Sequence, residues 1–173
     1  MSDSAIRIRH IDDGDWDGIV ALESRAYTTL GLSEGRTALR SKADTSPSTC
    51  FVLDVGPRTV GYLLSLPYPP LQFPALARAE GEDAAVLPTR NLHLHDIVIA
   101  QGFRRRGLAQ RLLHHLTSLA RSRGYDRISL VAVGRSQRFW SARGFAGHPG
   151  AERPGGYGPN AVYMSKALPD EVS

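Results

Sequence analysis

The sequence predicts a mixed α/β domain of six to seven strands and about four helices, and three observations carry this. Short alternating or β-branched runs recur along the chain, a leucine-spaced helical stretch at 107–123 lies between two apolar runs, and Gly, Pro and Asp punctuate the borders. A strand, a helix and a further strand in that order form a crossover unit, which sets its two strands parallel. With 173 residues and 42% hydrophobic content the chain can bury one core, so a single domain over 1–173 is expected.

Taken in order, Ile6, Ile8 and Ile11 alternate with Arg7 and Arg9 as a short edge strand. Asp12 or Asp13 then offers an N-cap to a helix whose stripe is Trp16, Ile19, Val20, Glu23 and Tyr27. A weaker helix is expected over 33–41, its start loosened by Gly31 and Gly35. Runs 49–55 and 59–66, joined by Gly56-Pro57-Arg58, read as a β-hairpin. From 67 to 90 the chain changes character. Pro67, Pro69, Pro70, Pro74 and Pro88 punctuate it, acidic residues flank Gly81, and only 71–78 hints at a short helix. So long a connection is uncommon inside a compact domain, and Tyr68 and Phe73 suit contact with a ligand. We expect a lid over an active site, with a tolerated surface insertion as the alternative.

Over 91–100, strict alternation places Leu92, Leu94, Asp96 and Val98 on one face and His93, His95, Ile97 and Ile99 on the other. The helix after it carries Leu108, Leu112, Leu116 and Leu119, widened by Leu113 and Ala120 and closed by Gly124. Ile128, Leu130, Val131 and Val133 form the next strand. Ser136 is placed to cap a short helix through Phe139 and Trp140 to Arg143, ended by Gly144, and 161–167 supplies a last strand.

Charge and cysteine content narrow the function. The net charge of +4 rests on arginine, lysine being limited to Lys42 and Lys166, and suits an anionic cofactor. Nucleic acid is not the expected partner, because acidic residues are spread along the chain and aromatic residues do not interleave with a basic stripe. Cys50 stands alone, which excludes an intrachain disulfide and a cysteine-based zinc site; its apolar setting reads as a buried structural thiol. No signal-peptide block and no apolar run near ~18 residues occurs, so a soluble, cytoplasmic protein without a membrane partner is expected.

The chemistry concentrates in Arg104-Arg105-Arg106-Gly107-Leu108-Ala109. A strand that ends, a glycine turn and a helix that begins aim several backbone N–H groups at one spot, with the positive end of the helix behind them. Guanidinium groups match phosphate oxygens there, so a diphosphate-bearing ligand is the first expectation.

The spacing Arg104-x-x-Gly107-x-Ala109 resembles the pyrophosphate-binding signature of the Gcn5-related N-acetyltransferase (GNAT) superfamily, and the order of elements over 91–168 is similar to that family throughout. The resemblance implies the acyl-CoA N-acyltransferase fold and acetyl-CoA as cosubstrate. It implies that Arg104, Arg105, Arg106, Gly107, Leu108, Ala109 and Gln110 hold the diphosphate. It further implies that the preceding strand splays from its neighbour, so that the backbone of Ile97, Val98 and Ile99 holds the pantetheine arm and polarises the thioester carbonyl. An amine then attacks directly in a ternary complex. A homodimer through the C-terminal strands is also implied.

His93 and His95, two apart on a strand, point the same way under alternation, and an imidazole in general is suited to accept a proton near neutral pH. The run Leu92-His93-Leu94-His95 resembles the paired-histidine strand of arylalkylamine N-acetyltransferases, and on that likeness His93 and His95 are the catalytic base or water relay. A metal site lacks a third ligand, since alternation turns Asp96 to the opposite face, and no metal is expected; a purely structural pair is the remaining alternative. Asp96 and Glu23 are the carboxylates that call for partners, and a structural role is expected for Asp96.

One departure from the family stands out. Phe139-Trp140 replaces the family's Phe-Tyr pair, and an indole N–H is not a practical acid. Thiolate protonation then falls to water, Tyr157 or Tyr163, or the thiolate leaves unprotonated at a reference pKa of ~8.5. Trp140 is expected to pack against the cofactor sulfur, or simply in the core. The acceptor is expected to be a small arylalkylamine- or polyamine-like primary amine. Alternatives are a protein N-terminus or lysine, and a non-catalytic acyl-CoA sensor.

Overall fold

In a computed structural model describing residues 5–76, 89–148, 151 and 153–169, seven strands share one mixed sheet. They are β1 (Ile6–His10), β2 (Phe51–Val55), β3 (Arg58–Pro67), β4 (Asn91–Ile99), β5 (Arg127–Ala132), β6 (Ala146–Gly147) and β7 (Val162–Ala167). The helices are α1 (Trp16–Tyr27), α2 (Arg36–Thr45), α3 (Leu108–Ser122) and α4 (Gln137–Ser141). Strand order is β1-β2-β3-β4-β5-β7-β6. Only β4 and β5 run parallel, as the crossover through α3 requires; every other neighbouring pair is antiparallel. This matches the mixed fold read from the sequence, with β6, a two-residue edge strand too short to leave a pattern, as the seventh member.

The sheet is covered on both sides. On one face Leu108, Leu112, Leu116 and Ala120 of α3 pack on Leu53, Leu63, Leu92, Leu94 and Ile128. On the other, Trp16, Ile19 and Leu22 of α1 and Leu39 and Ala43 of α2 pack on Val52, Tyr62, Leu64 and Val98. The α3 stripe is the one the leucine spacing predicts, except that Leu119 lies at its edge and Ala120 is fully buried. In α1, Leu22 joins the core while Val20 is half-buried. The second helix starts three residues later and ends four residues later than expected because Ala38, Leu39, Lys42 and Ala43 form its inward face. Ser136 does not cap α4; its hydroxyl donates back to Val133 O at 2.7 Å. Cys50 is 1% exposed and its thiol is pushed up to about 12 by burial, as befits a packing residue.

Two expectations are corrected. Residues 71–76 form no helix: Leu71 has φ 66° and Gln72 N–H donates to Pro69 O, which makes a turn. Residues 77–88, the rest of that segment, lie outside the described residues. The strict alternation along β4 also fails. The register with β3 passes from Leu94 opposite Ser65 to Asp96 opposite Leu64, so His95 is the extra residue of a β-bulge. Beyond the bulge the faces exchange: Ile97 and Ile99 join Leu92 and Leu94 on the α3 side, and Asp96 and Val98 turn toward α1 and α2. Asp96 therefore does not oppose the histidines. Among the described residues no helix is long and apolar enough to cross a membrane.

Candidate active site

The parallel ladder of β4 and β5 ends at Leu94 opposite Leu130, although both strands continue. They splay from that point, and a cavity of about 720 Å³ opens between them. Leu94, His95, Asp96, Ile97, Val98 and Ile99 line one wall and Leu130, Val131, Val133 and Trp140 the other. Ala100 N–H donates to Val60 O at 2.7 Å. Antiparallel alternation from that bond directs the backbone groups of Val98 to Tyr62 of β3 and turns those of Ile97 and Ile99 into the cleft. Of the three backbone positions singled out in the sequence, Ile97 thus offers its N–H and C=O and Ile99 its N–H to a ligand, and Val98 offers its side chain.

At the mouth of the cavity stands the arginine turn. Arg105 and Gly107 both have positive φ, 64° and 75°, which curls the turn so that successive N–H groups point inward. The first bond into α3 runs from Arg111 N–H to Gly107 O at 3.1 Å, so the N–H groups of Leu108, Ala109 and Gln110 precede the helical ladder. Arg104, Arg105, Gly107, Leu108, Ala109 and Gln110 line the cavity. Arg104 Nε donates to Ile99 O at 3.1 Å and ties the turn to the strand. Arg106 does not reach the cavity lining; its guanidinium lies over the Phe103 ring at 5.1 Å, with Arg58 over the same ring at 5.3 Å. Exposed N–H groups, two guanidinium groups and the helix end fit the diphosphate of a coenzyme A thioester.

Behind the cavity lies a buried charge relay. His95 Nε2 meets Glu34 Oε2 at 2.7 Å, with side-chain exposures of 1% and 4%. Glu34 Oε1 accepts from Lys42 Nζ at 2.9 Å, and that ammonium is 0% exposed. Burial pushes the Glu34 carboxyl up, but the His95 and Lys42 partners outweigh it and hold the group at about 2. Glu23 in turn positions Glu34, accepting from Ser33 Oγ at 2.5 Å and from the Glu34 backbone N–H at 2.6 Å. An ionised Glu34 only accepts, so a neutral His95 must carry its proton on Nε2. The lone pair is then on Nδ1, a buried atom with no hydrogen-bond partner among the described residues.

Asp96 sits one residue on. It accepts from Tyr27 OH at 2.7 Å and from Tyr62 OH at 2.5 Å. Burial raises it to about 6 against the opposing pull of His95 and the two hydroxyls. Both tyrosines are raised well above 10, chiefly by burial, so they remain donors. A smaller space of about 40 Å³, lined by Tyr27, Leu32, Glu34, Leu76, His95, Asp96, Val131, Val133 and Tyr157, adjoins the same residues. Among the described residues no three His, Cys, Asp or Glu groups form a metal-holding cluster.

The structure separates the histidine pair. His93 borders neither space; its Nδ1 is 2.8 Å from Ser129 Oγ, its ring stacks on Tyr163 at 6.4 Å, and burial together with His95 pushes it down to about 3. Trp140 is 6% exposed and packs edge-on against Phe139 and Phe145 while lining the cavity. Tyr157 donates its proton to Pro74 O, and the Tyr163 oxygen accepts from Leu71 N–H at 2.9 Å; neither residue borders the larger cavity. Glu34 and Lys42 were not singled out in the sequence. The only signal was a lysine on the apolar side of a helix, where burial demands an acidic partner.

These features define an acyl-CoA-binding transferase, and the comparisons agree. The chain matches the Acetyltransferase (GNAT) family over residues 16–145 and belongs to it. With the family comes its reaction class, acyl-CoA-dependent N-acetyl transfer. A comparison with curated proteins found no match. Among solved structures the chain is similar to Ard1 from Thermoplasma volcanium, with 18% identity, a TM-score of 0.72, and 96% of this chain and 99% of that one covered. It is similar to N-acetylglutamate synthase from Neisseria gonorrhoeae complexed with coenzyme A and N-acetyl-glutamate, with 18% identity, a TM-score of 0.71, and 97% and 36% covered. It is also similar to the ribosomal-protein-S18-alanine N-acetyltransferase from Escherichia coli, with 15% identity, a TM-score of 0.60, and 98% and 99% covered. At these identities the likeness is one of fold.

Proposed function

We propose that this protein transfers the acetyl group of acetyl-CoA to the primary amine of a small molecule, by direct attack in a ternary complex, with His95 as the base. The observation that carries this is the bare Nδ1 of His95, buried at the junction of the larger cavity and the smaller space. Bound acetyl-CoA supplies an acyl group on a thiol leaving group. The arginine turn anchors the phosphate end, and the cleft-facing backbone of Ile97 and Ile99 orients the arm. His95 Nδ1 takes a proton from the incoming ammonium, and Glu34 stabilises the imidazolium that results. His93, neutral and bonded to Ser129, keeps the strand pair in register and leaves the base role to His95. Trp140 walls the cleft; Tyr27, the tyrosine that lines the larger cavity among the described residues, gives its proton to Asp96, and water protonates the departing thiolate.

The segment before residue 77 supports a closed acceptor site. Phe73 packs on Tyr157 and Tyr163, the Leu71 N–H meets Tyr163, and Leu76 reaches the smaller space beside His95. We read it as the described part of a lid that limits the acceptor to small molecules. Free-thiol release from acetyl-CoA over a panel of small primary amines and a pool of peptides tests the proposal. Release with small amines that His95→Ala lowers about 10²-fold near neutral pH is the expected result. Release with peptides alone would overturn the small-molecule assignment, and tight acetyl-CoA binding without release would make the protein a sensor.

A further inference from the structure

A second space, a groove of about 890 Å³, is lined in part by the β5–α4 junction and takes no part in the chemistry above. Arg135 and Arg138 come to it from that junction and α4, Arg153 from the chain leading into β7, and Gln137 and Asn160 add neutral polar groups. The three arginines are exposed, and no carboxylate pairs with them among the described residues. Unpaired guanidinium groups converging on a concave surface hold a positive potential that favours anions and repels cations.

Two segments that line the groove also line the acceptor side of the active site. Val133 lines the smaller space beside His95 and Gly134, the next residue, lines the groove. Tyr157 lines the smaller space while Pro154 and Pro159, on either side of it, line the groove. The same two segments thus form a wall of both. We propose that the groove binds an anionic group, carboxylate or phosphate, carried by the acceptor itself. The natural substrate is then an amine with an acidic end, and polyamines are excluded by repulsion. This rests on the acetyl-transfer reading and adds the class of its acceptor.

The test compares ω-amino acids of two to eight carbons with their amides, with aminoalkyl phosphates and with α,ω-diamines of equal length. Both kcat/KM and binding by calorimetry are measured. The expected result is that one anionic series exceeds its neutral and cationic counterparts at least tenfold, the carboxylate and phosphate arms showing which anion the groove prefers. In Arg138→Gln/Arg153→Gln the ratio of anionic to neutral acceptor falls at least tenfold, mostly in KM. Because a ratio is read, loss of folded protein cancels. An unchanged ratio, a preference for diamines, or a rise confined to the acetyl-CoA KM would each overturn the proposal. Absence of thiol release from every amine would instead overturn the acetyl-transfer reading. The calorimetric comparison would then decide the groove by itself: preferential binding of the anionic amines, lost in the variant, upholds it, and no preference ends it.

Discussion

The proposed acetyl transfer turns on one ring nitrogen, Nδ1 of His95. His95 stands in a bulge, and the extra residue swings its side chain out of the alternation into the junction of the two spaces. His95→Ala should lower kcat about 10²-fold or more, the range a positioned base contributes, while acetyl-CoA affinity by calorimetry changes little. The loss should shrink as pH rises past the pKa of the amine, since a neutral amine needs no base; a deficit independent of pH would contradict the role. The sequence singled out His95 but turned Asp96 away from it, because alternation cannot register an inserted residue. Glu34 lies outside any helix or strand, and nothing in its neighbours announces that a histidine 61 residues on will meet it.

Among elements, the proposed function gives the turn between β4 and α3 and the splayed strand before it the task of placing the cosubstrate. Gly107 has φ 75°, and a side chain there meets open space but a strained backbone. Gly107→Glu adds that strain and a negative charge beside the N–H groups, and should abolish acetyl-CoA binding by calorimetry. A second glycine supports the cleft from behind. A methyl group on Gly61 would come within 2.6 Å of Ile99 Cδ1 and 3.0 Å of Val98 O. Gly61→Ala should therefore push Ile99 toward the cleft, costing about 1–3 kcal/mol in denaturant unfolding and weakening acetyl-CoA binding several-fold. Unchanged stability and affinity would show that the strand yields without cost. The turn was legible because it combines glycine, arginine and a leucine-spaced helix in one stretch. Gly61 was not, because a close approach between strands leaves no local mark.

The whole molecule couples its buried site to pH. His93 is held near 3 against an ordinary 6.5, so the unfolded chain takes up a proton first and stability falls as pH drops from about 6.5 to 3. Asp96 is raised to about 6 from 3.8, so there the folded state takes up the proton and stability rises as pH drops from about 6 to 3.8. Each contributes a slope of ~1.4 kcal/mol per pH unit with opposite sign, and the melting temperature should change little between pH 6 and 4.5. Below that, Glu34, held at about 2 against an ordinary 4.5, adds to the loss. Asp96→Asn should convert the flat region into a decline, read as Tm against pH. A Tm rising on acidification in that variant would contradict the sign. Both sides of the sheet were legible from periodicity, whereas these couplings join residues distant in sequence, such as Tyr27 and Asp96, and only the folded chain brings them together.

The most direct test of the central claim is a crystal structure of the protein with coenzyme A. The expected result is the diphosphate against the N–H groups of Leu108, Ala109 and Gln110, the arm running between β4 and β5 beyond Leu94 and Leu130, and the thiol end beside His95. A structure with the turn empty and the coenzyme bound elsewhere would contradict it.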